Sequence, residues 1–414
     1  MEDRTLNRFR TFLVAWVGVM LAHFTYVQIK TDWGSKELPW DPWNLWHPTY
    51  FGVVNATFVI IPFLLFQISI ARRFGGWSSA VGRAIYLLGI GTSLWGLGNL
   101  NWFILNVQGN EAPYPSLADA GYLAVLPFAG AALWQLAKVV GISGADWKWL
   151  PVALVVAFPL NAYIMLPQGI GAGTFDTPLS TVISTTYIAS DVLLLGVSIV
   201  VAFGARRAAG GRFLAPVLAV VASLSLLYVG DLVFNYRIAN DLFYNAEISD
   251  FLYGVFIVAS SISAWYFLRA DVIASQAIAE ADEEWTPTLA HAHAHAARSS
   301  GPQLPPLHEL ATAIVHGQER VMGQQTARGI AANVNGIEID AAGSVAAVDT
   351  IAIDALVREY RSISGPLGEM ACWTAARPVF ARHPELTVRS FARFREAMPQ
   401  TTGNGSGRSQ VLAG

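Results

Sequence analysis

GNLNWFILNVQGNEAPYPSLADAGY at residues 98–122 and GDLVFNYRIANDLFYNAEISDFLY at residues 230–253 open alike and close alike. Each begins with a glycine followed by an amide or a carboxylate, Gly98-Asn99 in the first and Gly230-Asp231 in the second. Each ends in Asp-x-x-Tyr, as Asp119 to Tyr122 and as Asp250 to Tyr253. Upstream, Ala71-Arg72-Arg73 with Gly75-Gly76 is matched by Ala205-Arg206-Arg207 with Gly210-Gly211. The offsets are 134, 132 and 131 residues, so the echoes stay in order and nearly in register. Asp-x-x-Tyr alone is degenerate, but three ordered echoes predict an internal duplication that places polar groups twice in the same part of each half.

The surroundings of these stretches fix the class. Of 414 residues, 54% are hydrophobic and only 13% charged, against about 25% charged in a soluble domain. Apolar runs near the ~20 residues that span a bilayer fall at about 11–29, 50–71, 81–106, 117–140, 149–166, 178–205, 213–237 and 248–269. The fifth, with Pro151 and Pro159, is the shortest. The first is too long for a signal-peptide core and reads as a retained helix. Arg4, Arg8, Arg10, Arg72, Arg73, Arg83, Lys138, Lys148, Arg206, Arg207, Arg212 and Arg269 all fall on one side if there are eight helices, which makes that side and both termini cytoplasmic. The expected fold is an all-α membrane protein of eight transmembrane helices over 1–270. It would consist of two parallel four-helix repeats, about 11–140 and 149–269, followed by a small cytoplasmic α+β domain.

Beyond Arg269 the pattern changes. Residues 271–306 read as a helical extension and then a flexible linker, with Pro287, Pro302, Pro305, Pro306 and the alternating His291, His293 and His295. Such a tract has no second shell to fix a metal. From 307 to 398 a helix follows Leu307, Leu310, Ile314 and Val321, and a short strand covers Gly336–Asp340. A second strand runs from Ser344 to Val348. Asp349 or Thr350 opens a helix through Ser362, and Gly365-Pro366 opens another that ends near His383-Pro384. The tail 399–414 is expected to be disordered. Between the first two spans, Trp33, Trp40, Trp43, Trp46 and Tyr50 suit an interfacial aromatic belt, with an aromatic ligand lid as the other reading.

The candidate site is the set of polar side chains inside or at the mouth of the spans: Asn99, Asp119, Tyr122, Asp191, Asp231, Asp250, Tyr253 and, in the first helix, His23. A carboxylate at bilayer depth must be paired, protonated or hydrated. Asp119 in Ser116-Leu-Ala-Asp119 and Asp250 in Glu247-Ile-Ser-Asp250 also suit helix caps, where a carboxylate meets free N–H groups. Asp191, about ten residues inside its run, is the hardest to read as a cap. Tyr122 and Tyr253 lie one turn beyond Asp119 and Asp250 on nearly the same face. They suit either a polar cavity or the interfacial belt.

Net charge is −3, which gives nucleic acid no electrostatic hold. The one cysteine, Cys372, excludes a disulfide framework or a cysteine metal site within the chain. Phosphate-binding loops, zinc-protease, serine-hydrolase and kinase motifs are all missing, so no catalytic residue is assigned. The sequence designates no cofactor.

Pro115-Ser116-Leu117-Ala118-Asp119-Ala120-Gly121-Tyr122-Leu123 with Pro127 resembles a motif of bacterial multi-span input modules. These precede diguanylate cyclase, phosphodiesterase or histidine kinase domains. Trp95, Gly98, Asn99 and Trp102 match the helix before the motif. Gly230, Asp231, Asp250, Tyr253 and Trp265 match the weaker second copy. The resemblance covers about 50–270 and implies a membrane sensory module. The Gly-Gly-Asp-Glu-Phe and Glu-Ala-Leu output signatures are absent. The resulting expectation is a sensor of the bacterial inner membrane that binds an unknown small ligand in the outer half of the bundle and relays to a partner through 307–398. The alternative is a small proton-coupled carrier.

Overall fold

The computed structural model describes residues 2–30, 60–107, 114–142, 144, 146–155, 158–159, 177–205, 212–240, 242–243, 247–283, 305–340, 344–347, 349–392 and 394. The helices of the bundle are α1 (Glu2–Lys30), α2 (Ile60–Arg73), α3 (Ala80–Val107), α4 (Leu117–Val139), α5 (Pro178–Ala205), α6 (Leu214–Ala239) and α7 (Ile248–Glu283). Six of these, all but α2, are long and apolar enough to cross a membrane. The chain is therefore a multi-pass membrane protein. Of the eight runs read in the sequence, the second is described only from residue 60 and the fifth only at 149–155 and 158–159. The tryptophan-rich loop, the histidine tract and the tail lie outside the described residues.

Outward-facing side chains fit a lipid solvent. Phe12, Val14, Val19 and Leu21 are exposed on α1, with Val14 at 68%, and water would oppose so continuous an apolar stripe. On its other face α1 buries Leu13 and Met20. It docks on α7 through Phe24 stacked on Phe251, ring centroids 4.5 Å apart. The tightest crossing joins α3 to α4. A Cβ on Gly121 would stand 2.6 Å from the Leu94 carbonyl and 2.8 Å from Gly98 Cα, so only a glycine pair lets these backbones meet.

At one end the bundle carries a small α+β domain. Its elements are α8 (Pro306–Met322), α9 (Gln324–Ala332), β1 (Ile337–Ile339), β2 (Val345–Ala347), α10 (Thr350–Ser364) and α11 (Pro366–Arg382). The strands form an antiparallel hairpin that pairs Ile337 with Ala347 and Ile339 with Val345. Thr312 of α8 holds its edge, accepting from Val345 N–H at 3.0 Å and donating to its carbonyl at 3.1 Å. Asp349 caps α10 by accepting from Ala352 N–H at 2.8 Å. Trp373 centres the domain core among Phe380, Phe391 and Phe394. The separate helix α9 is an addition to the sequence reading, which had no element there.

This domain does not hang free of the bundle. One continuous apolar core runs from Phe74, Phe213 and Phe267 at the helix ends into Leu310, Leu356 and Tyr360 of the domain. The first arginine–glycine echo lies at this seam. Phe74, between the first Arg-Arg and Gly-Gly, is fully buried, and its carbonyl lies against Gly365. Just past the second echo, Arg212 N–H donates to the Val321 carbonyl at 2.8 Å. Arg73 of α2 bonds Asp271 of α7 at 3.0 Å, and Thr326 lies against Gly141. Cations stand on aromatic rings at this same end: Lys138 over Trp134, Lys148 over Trp149 and Arg269 over Trp265. α7 continues past its apolar part to Glu283 without a break.

Candidate functional site

The two copies of the motif make the same contact. Tyr122 donates to Asn99 Oδ1 at 3.1 Å, and Tyr253 donates to Asp231 Oδ1 at 2.7 Å. Asn99 lies eight residues before Val107, the end of α3, and Asp231 eight before Ala239, the end of α6. Tyr122 and Tyr253 each lie five residues after the first residue of α4 and α7. The leading glycine makes room for the ring. A Cβ on Gly98 would come within 3.0 Å of the Tyr122 ring, and one on Gly230 within 2.9 Å of the Tyr253 ring. The pattern of glycine, amide or carboxylate, then tyrosine is thus a clasp between two helices, in which the glycine seats the phenol and its neighbour accepts from it.

Trp95, one turn before Gly98 on α3, joins the two clasps. Its ring centroid lies 5.9 Å from that of Tyr122 and 5.5 Å from that of Tyr253, with Phe256 at 5.6 Å. Trp95 is buried. Tilted aromatic contacts of this kind add about 0.5–1.5 kcal/mol each beyond area burial.

Asp119 is both a cap and a site residue. Its Oδ2 accepts from Ser116 N–H at 2.6 Å while the Ser116 hydroxyl accepts from Ala118 N–H at 3.2 Å. These form the reciprocal cap of α4. Its other oxygen accepts from Tyr187 of α5 at 3.0 Å. The second copy is built differently at this point. Glu247, fully buried, accepts from Ser249 at 2.6 Å and forms an ion pair with Arg237. Asp250 is half-buried and lies within electrostatic reach of both Tyr122 and Tyr253.

Asp191 lies thirteen residues after Pro178, near the midpoint of α5 and deeper than its place in the sequence suggested. It is 4% exposed and lies within electrostatic reach of Asp231. The Tyr228 hydroxyl, one turn before Asp231, is buried, has no hydrogen-bond partner among the described residues and lies within electrostatic reach of Asp191. Asn99, Tyr122, Tyr187, Asp231, Asp250 and Tyr253 are half-buried, whereas Asp191 and Tyr228 are buried. His23 is half-buried on α1 and takes no part in the contacts described for this cluster.

Seven of the eight residues singled out in the sequence therefore come together, contributed by α3 to α7. Trp95, Tyr187 and Tyr228 complete the cluster. Tyr187 precedes Asp191 by four residues and Tyr228 precedes Asp231 by three, so each shares a helix face with its aspartate. That spacing was the available signal. The groups brought together are hydroxyls, carboxyls and one amide, able to hold protons, a cation or a polar ligand. Among the described residues no cluster suited to holding a metal through three or more His, Cys, Asp or Glu side chains occurs.

Searches with the chain against protein-family models, curated proteins and solved structures find no match.

Proposed function

We propose that the protein is a sensory membrane protein of the bacterial inner membrane, its polar cluster the receiving site and its α+β domain the cytoplasmic output surface. In this reading the bundle has eight spans in two parallel halves with both termini cytoplasmic, as the cation-rich domain end supports. The sensory role accords with the resemblance of residues 50–270 to bacterial input modules.

The observation that carries the reading is the course of α7. Near one end it holds Asp250 and Tyr253 of the cluster, and further along it holds Asp271, bonded to Arg73 at the domain seam. It has 36 residues, roughly 54 Å at 1.5 Å per residue, well beyond the ~30 Å apolar core of a bilayer. One rigid element thus touches both places, which is what relay requires. A carrier has one feature in its favour, the buried carboxyl groups of Asp191 and Asp231 within electrostatic reach of each other.

The test uses the full chain in lipid nanodiscs. Tyr253→Phe is expected to change hydrogen exchange at Arg212 and in α9, on the seam, while the protein stays folded. Unchanged seam exchange, together with pH-driven solute flux in proteoliposomes, would favour the carrier and overturn the sensor.

A further inference from the structure

We propose that the flank where α3 begins and α4 ends is a binding face for the headgroups of anionic phospholipids, in the leaflet on the side of the α+β domain. The outward stripe of α4 sets its level. Leu117, Ala120, Pro127 and Trp134 are exposed, the last three at two-turn spacing, and exposed Lys138 follows one turn beyond Trp134. Leu117 and Trp134 are seventeen residues apart, roughly 26 Å along a helix and close to the ~30 Å apolar core of a bilayer. The stripe thus runs from small and apolar side chains to an indole ring and then to an ammonium group. That is the order in which a helix passes from hydrocarbon into the headgroup layer.

Neighbouring segments extend α4 into a continuous surface. Arg83, three residues after Ala80 at the start of α3, donates from Nε to Gln135 Oε1 at 3.1 Å. One of its terminal nitrogens donates to the Trp77 carbonyl at 2.8 Å. Trp77 is 55% exposed and stacks on Tyr86, ring centroids 5.2 Å apart. On the other side of Trp134 lies Trp147, ring centroids 5.4 Å apart. Trp147 carries with it Lys148 and Trp149, both exposed.

The charge of this face is not balanced within the protein. Among the described residues no carboxylate forms an ion pair with Arg83, Lys138 or Lys148. Asp146, the acid nearest to them in sequence, is half-buried. By contrast, Arg73 is engaged by Asp271 and Arg361 by Glu369. Lys138 stands 5.9 Å from the Trp134 ring centroid and Lys148 5.8 Å from that of Trp149, within cation–π range. The rings place the ammonium groups without neutralising them. Three uncompensated cations among exposed indoles match a phosphate headgroup whose acyl chains lie along α4. An acidic protein segment would leave the apolar stripe unused.

Each cation near an anionic membrane surface contributes about fivefold to association. Native mass spectrometry of the full chain in detergent micelles, titrated with phosphatidylglycerol or phosphatidylcholine of identical acyl chains, measures the preference. Wild type is expected to retain phosphatidylglycerol more strongly. Lys138→Gln combined with Lys148→Gln should lower that preference about thirtyfold, whereas Lys138→Arg with Lys148→Arg should keep it. Both lysines are exposed, so neither exchange disturbs the core. Arg10→Gln is the control, since Arg10 is an exposed cation on α1, which docks on α7. Equal retention of the two lipids by wild type, or an unchanged preference in the double glutamine variant, would overturn the proposal. A loss per removed charge as large in Arg10→Gln would overturn it too, because the attraction would then be diffuse. Binding of a polyglutamate peptide that the double variant abolishes, with no lipid preference, would assign the face to an acidic protein instead.

Discussion

Substituting Gly365 by alanine should separate the α+β domain from the bundle. Gly365 closes α10, donating its N–H to the Arg361 carbonyl at 2.8 Å, and precedes Pro366 at the start of α11. Its φ of +67° and ψ of −144° lie where side chains are rarely tolerated, at a cost of about 1–3 kcal/mol. A Cβ there would also stand 1.9 Å from the Phe74 carbonyl oxygen and 2.5 Å from its carbon. Ordinary non-bonded separations are about 3.5 Å, so the seam must open by more than about 1 Å. Phe74 cannot yield that distance locally, because it is fully buried against Phe213 and Phe267. The strain burdens the domain docked or free, whereas the clash acts only when docked; as overpacking at the upper end of about 1–3 kcal/mol it should weaken docking close to a hundredfold at 1.36 kcal/mol per tenfold. The Arg212 amide, bonded to the Val321 carbonyl across the seam, reports this directly through hydrogen exchange. About a hundredfold faster exchange at Arg212, with β1 and β2 still protected, is the expected result. Gly329→Ala is the control, since a Cβ there meets nothing within 4 Å. Wild-type exchange at Arg212 in Gly365→Ala would refute the reasoning.

Other consequences are separable. Tyr253→Phe should destabilise the bundle more than Tyr122→Phe, about 2 kcal/mol against about 1 kcal/mol, because the first orphans a carboxyl oxygen and the second an amide oxygen; reversible unfolding in mixed micelles measures both. Ser116→Ala should cost about 1 kcal/mol as a lost cap and free Asp119 from α4, visible as faster exchange at Ala118. Burial pushes the Cys372 thiol up to about 12 from an ordinary value of 9.0. Its proton is therefore held by folded and unfolded chains alike below pH 9, so it adds no pH dependence there. Between 9 and about 12 only the unfolded thiol ionises, and stability falls as pH rises, by up to about 1.4 kcal/mol per unit. Tyr360, also raised by burial, acts in the same direction above 10. An alkaline loss of melting temperature that Cys372→Ala reduces is expected, together with blocked alkylation of native protein at pH 8; ready alkylation would contradict the buried thiol.

Much of this organisation was legible in the chain because its causes are local. Apolar length alone marks the spans, and Asp349, Gly365 and Pro366 mark their helix ends by capping chemistry. The echo could be read because each clasp needs three residue types at fixed places: a glycine to seat the ring, an acceptor beside it and a tyrosine five residues into the next helix. What stayed hidden depends on the relative placement of helices. That Trp95 lies between the two tyrosines, that Asp191 comes within electrostatic reach of Asp231, and that Asp119 serves Ser116 and Tyr187 at once are facts of packing, set by crossings such as Gly98 on Gly121. The docking of the domain was hidden for the same reason. Its composition says that it folds, while the carbonyl of Phe74 and the missing side chain of Gly365 decide where it sits.

The meeting of the two clasps at Trp95 is tested most directly by cysteine cross-linking in membranes. Trp95→Cys is combined with Tyr122→Cys in one variant and with Tyr253→Cys in another. A short bis-thiosulfonate reagent is used, with buried Cys372 left in place as the unreactive control. Comparable cross-linking of both pairs is expected, since the Trp95 ring lies 5.9 Å from one tyrosine ring and 5.5 Å from the other. Linking of the Tyr122 pair alone would mean that the halves do not close on one another, and would contradict a shared site.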